Sequence, residues 1–137
     1  MFPASTKILV VDDLLTMRKL VSRCLKDLGF TNITEADDGA TAWPILEFAA
    51  QTATPFQLII SDWNMPKTPG IQLLKKVRGS DLTKHLPFIF ITAEAEMGQV
   101  KEAIVSGASN YITKPFTPAT LRDKLTAVYA MLAARKT

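Results

Sequence analysis

Short apolar runs, each stopped by a polar residue, alternate along the chain with stretches whose apolar residues recur every three or four positions. KILVV (Lys7 to Val11) is apolar on both faces and stops at Asp12-Asp13, the pattern of a parallel strand buried on both sides. Met17, Leu20, Val21, Cys24, Leu25 and Leu28 then fall at helical spacing, with Arg18, Lys19, Arg23 and Lys26 on the opposite side. Gly29 sits where helices commonly close. A short strand follows around Ile33 to Ala36, and Asp38-Gly39 opens a second helix running to about Gln51. Pro44 lies inside that helix, where it removes a hydrogen bond and is expected to kink or delay it.

Thr52 to Pro55 reads as loop, and QLIIS (Gln57 to Ser61) as another fully apolar strand, ending at Asp62. WNMPKTPG is rich in turn formers. Ile71, Leu73, Leu74 and Val77 mark a third helix that ends at Gly79, and FIFIT (Phe88 to Thr92) is a fourth strand. A fourth helix from about Glu96 to Val105 precedes Gly107, and YIT (Tyr111 to Thr113) is a fifth strand ended by Lys114-Pro115. Thr117 and Pro118 suit the N-cap and first position of a last helix, with Leu121, Leu125, Val128 and Leu132 as its inner stripe. Five strand-then-helix units predict an α/β fold, a doubly wound parallel sheet covered on both faces and joined by right-handed crossovers. The last helix runs almost to Thr137, so residues 1–137 are expected to form one domain without an output domain.

Composition narrows the function. Hydrophobic residues make up 47% and charged residues 21% of the 137, an ordinary globular balance. No apolar run approaches the ~20 residues needed to span a bilayer. MFPASTK lacks the apolar core of a signal peptide, and the single cysteine, Cys24, offers no internal disulfide, so a cytoplasmic protein is expected. The net charge of +3 is spread over several segments, giving no footprint for nucleic acid or membrane. His85 is the only histidine and reads as a loop residue, which leaves histidine-based metal clusters and relays short of parts.

The conspicuous polar residues fall at strand ends. Asp12 and Asp13 follow the first strand, Asp62 the third, Thr92 closes the fourth and Lys114 follows the fifth. Ligands of open α/β sheets bind outside the carboxyl ends of the strands, and in the flavodoxin-like order 2-1-3-4-5 the first and third strands are neighbours. The three acids would then share one cleft, where their mutual repulsion calls for a cation. Mg²⁺ suits such a site, because it takes one or two carboxylates, keeps waters and accepts phosphate oxygens. A carboxylate nucleophile, a hydroxyl and an ammonium beside it are the parts of a phosphoryl-accepting centre. Taken singly each has a plainer role: Asp12-Asp13 as helix caps, Asp62 as a loop acid, Thr92 as a strand threonine, Lys114 as a surface lysine. Their coincidence on one sheet edge favours the shared site.

DDLLTMRKLV, IISDWNMP, FITAEA and ASNYITKPFT, in this order and spacing, resemble the response-regulator receiver domain of CheY-like chemotaxis proteins over nearly the whole chain. The resemblance implies Asp62 as phosphoacceptor, with Mg²⁺ held by Asp13, Asp62 and the backbone carbonyl of Asn64, and by Asp12 largely through water. It implies Thr92 and Lys114 on the phosphoryl group, a cis peptide between Lys114 and Pro115, and Asn64 and Glu94 as positions that tune dephosphorylation. It further implies a switch in which Thr92 moves toward the phosphoryl group and Tyr111 turns inward. Trp63 is expected to be a partly exposed lid. The implied donor is a phosphohistidine on a CheA-type kinase, and the implied output is the flagellar switch protein FliM, met by the fourth helix, fifth strand and fifth helix. On that surface Ala95, Tyr111 and Lys124 fit the family pattern, whereas Glu96, Met97 and Thr113 depart from it. MPKTPG departs too, as do Leu14-Leu15, which leaves recognition by a CheZ-type phosphatase open, and the second helix and its loop carry about five extra residues by the motif spacing.

The resulting expectation is a monomeric signalling receiver rather than a classical enzyme. One alternative is a receiver that serves as phosphate sink or relay carrier without touching the motor. An Mg²⁺-dependent phosphohydrolase of the haloacid dehalogenase kind is more remote, since Asn64 stands where those enzymes place a second acid. A flavin-binding flavodoxin-like protein would have Ser, Thr and Gly, not two acids, after the first strand.

Overall fold

The computed structural model describes residues 1–63, 65, 67–92 and 97–135. Five strands alternate with five helices in the order β1 (Ile8–Val11), α1 (Leu15–Asp27), β2 (Ile33–Ala36), α2 (Gly39–Ala50), β3 (Leu58–Asp62), α3 (Gly70–Gly79), β4 (Phe88–Thr92), α4 (Met97–Val105), β5 (Asn110–Thr113) and α5 (Pro118–Arg135). All strand pairings are parallel, and the sheet order is β2-β1-β3-β4-β5. The expected doubly wound, flavodoxin-like arrangement is thus the observed one.

Side chains alternate across a strand, so each apolar run feeds two cores. Ile8 and Val10 of β1 join Val21 and Leu25 of α1 and Leu121, Leu125 and Val128 of α5 on one face. Leu9 and Val11 join Ala42 and Leu46 of α2, Leu73, Leu74 and Val77 of α3 and Ala103 of α4 on the other. This two-sided burial is the reason the strands read as unbroken apolar runs.

The helix ends follow local chemistry. After Leu28 the chain turns through Gly29 at φ +102°, a left-handed value that a side chain would strain, while Gly29 N–H reaches Lys26 O and Phe30 N–H reaches Leu25 O. Asp38 caps α2 by accepting from Thr41 N–H at 2.8 Å. Thr117 does the same for α5, accepting from Thr120 N–H at 3.2 Å, with Pro118 at the first helical position. Two expectations are corrected. Helix α2 runs unbroken from Gly39 to Ala50 through Pro44, so the proline does not delay it. Leu20 is 45% exposed and stands outside the α1 stripe, whose buried members are Val21, Ser22, Cys24 and Leu25.

Gly70, the first residue of α3, ties this helix to the site. Its N–H donates to Trp63 O at 3.0 Å, and a Cβ there would run into the Asp62 carbonyl oxygen and lie 2.8 Å from the Phe90 ring. A Cβ at Gly79, at the other end of the helix, would meet nothing within 4 Å. Gly70→Ala is therefore expected to lower the urea-unfolding free energy by about 2 kcal/mol through forced displacement of packed atoms. Gly79→Ala should cost nothing or stabilise slightly. Equal effects of the two would show that the close approach at Gly70 is not a constraint.

Candidate functional site

The register of β1 and β3 builds the site. Val11 pairs with Ser61, so the next residues, Asp12 and Asp62, leave the carboxyl edge side by side. With Asp13, which is exposed where the other two are buried, they form a cluster in which one oxygen from each lies within 4.8 Å of the others. Lys114, just past β5, reaches across β4 to place its Nζ 3.4 Å from Asp62 Oδ1 and 3.7 Å from Asp12 Oδ2. The Lys114–Pro115 peptide is cis, as the resemblance implies, and Lys114 N–H donates to Thr92 O at 2.7 Å. Thr92 is buried at the end of β4, next to β3 in the sheet. The acids, the lysine and the threonine thus occupy one edge, as expected from the strand ends.

Each buried acid is held by short local bonds. Leu14 N–H donates to Asp12 Oδ1 at 2.9 Å, and Trp63 N–H donates to Asp62 Oδ1 at 2.9 Å. Burial nevertheless dominates. It pushes the Asp62 carboxyl up to about 6, with the charge of Asp12 adding to the rise and Lys114 and the Trp63 N–H opposing it. Burial likewise raises Asp12, opposed by the Leu14 N–H and Lys114 and reinforced by Asp13. Two buried carboxylates that both resist ionisation, with an exposed third beside them, make a donor set of hard oxygens suited to a divalent cation.

The other expected positions divide. Tyr111 is half-buried against the core on the α2–α3–α4 face, with Lys124 Nζ 5.0 Å from its ring centroid. Lys124 also donates to Asn110 Oδ1 at 3.4 Å, and Thr113 is exposed. Asn64, Glu94, Ala95 and the Met97 side chain lie outside the described residues. Trp63 corrects an expectation. At 9% exposure it is buried, its ring 4.8 Å from that of Phe90 at 61°, so it packs under the site instead of lidding it.

Sequence reasoning missed Arg18. Helical spacing sets it on the side of α1 opposite the apolar stripe, yet its Nη1 donates to Asp12 O at 2.7 Å and its Nε lies 3.4 Å from Glu35 Oε1. A signal was present: α1 has no acid in its first turn and an arginine just beyond it, against the preference set by the helix dipole.

Fold and cleft together define a class: a flavodoxin-like α/β domain whose switch point holds three carboxylates and an ammonium. The chain belongs to the response regulator receiver domain family, whose signature matches residues 8–126. It is 49% identical over 126 residues to chemotaxis protein CheY-3 of Vibrio cholerae, covering 92% of this chain and 93% of that protein. It is 46% identical over 123 residues to chemotaxis protein CheY of Pseudomonas aeruginosa, covering 90% and 95%. Among solved structures, the chemotaxis response regulator CheY4 of Vibrio cholerae superposes with a TM-score of 0.77 at 35% identity, over 90% of this chain and 98% of that one. A receiver-domain protein of Clostridium thermocellum matches in fold, with a TM-score of 0.79 at 24% identity over 96% and 97%. The chain is a receiver of the CheY-like chemotaxis type. Among the described residues no helix is long and apolar enough to cross a membrane.

The raised Asp62 sets a pH dependence with a definite sign. A carboxyl whose folded value, about 6, exceeds its ordinary 3.8 binds its proton more tightly in the folded state. Its contribution is therefore most favourable below the ordinary value and is lost as pH rises through the folded one. With chelator present, Asp62→Asn should match wild type near pH 4 and exceed it above pH 6 by about 2–3 kcal/mol in urea titrations. A constant difference across that range would contradict the assigned crowding.

Proposed function

We propose that this protein is a cytoplasmic two-component phosphoacceptor, working as one receiver domain, which takes a phosphoryl group from a phosphohistidine of a CheA-type kinase onto Asp62. The observation that carries the reading is the placement of Lys114 Nζ against Asp62 within a cluster of three acids. In the transfer, an Asp62 carboxylate oxygen attacks phosphorus, the P–N bond to the kinase imidazole breaks, and the imidazole nitrogen regains its lone pair. Lys114 and the Thr92 hydroxyl steady the phosphoryl oxygens, and the Trp63 N–H orients the attacking carboxylate. Asp13, Asp62 and the Asn64 carbonyl, with Asp12 through water, would hold Mg²⁺. When bound, the ion keeps Asp62 ionised and offsets phosphoryl charge. Catalysis extends only to the protein's own phosphorylation and slow dephosphorylation, tuned at Asn64 and Glu94.

The new dianionic group then biases a switch. Thr92 draws toward it and Tyr111 turns further in, away from Lys124, re-forming the surface of α4, β5 and α5. The preferred output is FliM at the flagellar motor, through Ala95, Met97, Tyr111, Thr113 and Lys124. The alternative, a phosphate sink or relay carrier, is favoured by Thr113 and Met97, which depart from the motor-binding pattern. The protein acts as a monomer.

Incubation with acetyl phosphate and Mg²⁺ should give a single acid-stable, base-labile adduct by intact mass, absent from Asp62→Asn and reduced at least tenfold in rate by Lys114→Ala. Steady release of phosphate from many esters would instead mark a phosphohydrolase. For the output, titration of a FliM N-terminal peptide should show at least tenfold tighter binding to the beryllofluoride-loaded protein than to the free form, corresponding to about 1.4 kcal/mol. Equal or absent binding assigns the sink.

A further inference from the structure

Both backbone polar groups of Asp12 are taken up outside the carboxylate cleft. Its N–H donates to Ala36 O of β2 at 3.1 Å, and its carbonyl accepts from Arg18 Nη1 at 2.7 Å. At the start of α1 the Leu14 N–H holds the Asp12 carboxylate at 2.9 Å, but Leu14 occupies the N-cap without a side-chain bond, and the Asp12 carbonyl is held by Arg18. The arginine is itself anchored. Its side chain is only 15% exposed, and Nε pairs at 3.4 Å with Glu35 Oε1, while Lys19 grips Glu35 Oε2 at 2.9 Å. Glu35 stands opposite Val10 in the β1–β2 register, so it is fixed to the strand that delivers Asp12.

The peptide unit that Arg18 holds is the one joining Asp12 to Asp13. Because that unit is planar, fixing its carbonyl fixes the rotation that follows the Asp12 Cα, and with it the place where the chain enters Asp13. The Asp12 carboxylate is already held by the Leu14 N–H, so the placement set through Arg18 falls on Asp13. The three acids repel one another, so an unrestrained turn would relax by swinging the exposed Asp13 away from Asp12 and Asp62.

We propose that Arg18, braced by Glu35, is a positioning residue that holds the β1–α1 turn so that Asp13 stays beside Asp12 at the cleft, ready for a divalent cation. This rests on the Mg²⁺ reading above. Arg18 touches neither the phosphoryl group nor the acceptor oxygen, so its effect falls on cation affinity and not on the transfer step.

The test is calorimetric titration of Mg²⁺ into wild type, Arg18→Met, Arg18→Lys and Glu35→Gln. It is paired with acetyl phosphate labelling rates across Mg²⁺ concentration. Methionine keeps an unbranched apolar stem but offers no donor. Its Mg²⁺ dissociation constant is expected to rise about tenfold, the scale of losing a group that orients metal ligands. At saturating Mg²⁺ its labelling rate should return to the wild-type value. Lysine, which can still donate to the Asp12 carbonyl, should recover most of the affinity, and Glu35→Gln should weaken it in the same direction by a smaller factor. Unchanged affinity in Arg18→Met overturns the proposal, as does a rate deficit that persists at saturating Mg²⁺. If Arg18→Met fails to fold, unchanged affinity in Glu35→Gln overturns it equally. Failure of wild type to bind Mg²⁺ overturns the metal reading itself and is visible in the wild-type titration alone.

Discussion

Everything at the carboxyl edge of this sheet follows from one electrostatic conflict. Parallel register sets Asp12 and Asp62 side by side, one residue beyond the Val11–Ser61 pair, and burial denies them the water that would screen their charges. Two like charges about 4 Å apart repel by about 4 kcal/mol at an effective dielectric constant of roughly 20. Lys114 relieves part of this from two strands away, a span its flexible four-carbon stem can bridge. Three carboxylates and one ammonium still sum to −2, which one divalent cation balances.

A conflict of this kind persists only where the surroundings leave the groups no retreat. Asp62 is the last residue of a fully buried strand, and the first residue of α3 sits on its carbonyl so closely that only a glycine fits. Trp63 is packed edge-on against Phe90, whose ring contacts Phe88 and leaves no room for a Cβ at Gly70. Asp62 is therefore braced by aromatic packing and by the start of α3. Asp12 is braced by β2 and Arg18 instead. The site is rigid where its acids are rooted and open where Asp13 meets solvent.

Much of this was readable in the residues because the forces concerned are local or periodic. Apolar runs ending in acids reported both the two-sided burial of the strands and the edge at which the acids emerge. Thr117-Pro118 and Asp38 reported helix starts because capping depends on a few adjacent residues. What escaped depended on contacts distant in sequence. Trp63 reads as exposed from its polar loop, but Phe90 on the neighbouring strand buries it. Leu20 matches the helical stripe by spacing, yet the stripe that α5 and the sheet cover is narrower than the pattern suggests. Arg18 reads as a solvated charge, and only Glu35 and the Asp12 carbonyl reveal its inward reach. Pro44 lies in α2 without breaking it, because the remaining helix bonds and the packing of Ala42, Leu46 and Ala49 outweigh one lost donor.

The charge balance also indicates why a receiver can act as a switch at all. On the proposed function, the cation brings the cleft to neutrality, and phosphorylation of Asp62 replaces one negative charge with about two. The cleft then carries a surplus of about −1; among the described residues, Lys114, already committed, and Thr92 at the end of β4 lie at this edge to answer it. Thr92 pairs with Thr113 in the β4–β5 register, and Tyr111 lies on the same strand, half-buried and within reach of Lys124. A pull on the end of β4 is therefore felt first along β5, where a large side chain already stands between core and surface. Since the core packs densely, space released near Thr92 is filled by a discrete rearrangement of such a side chain and not by a graded relaxation. On the proposed function, the unrelieved charge at one sheet edge and the half-buried Tyr111 would be two ends of one mechanical connection, with its length set by the register of two short strands.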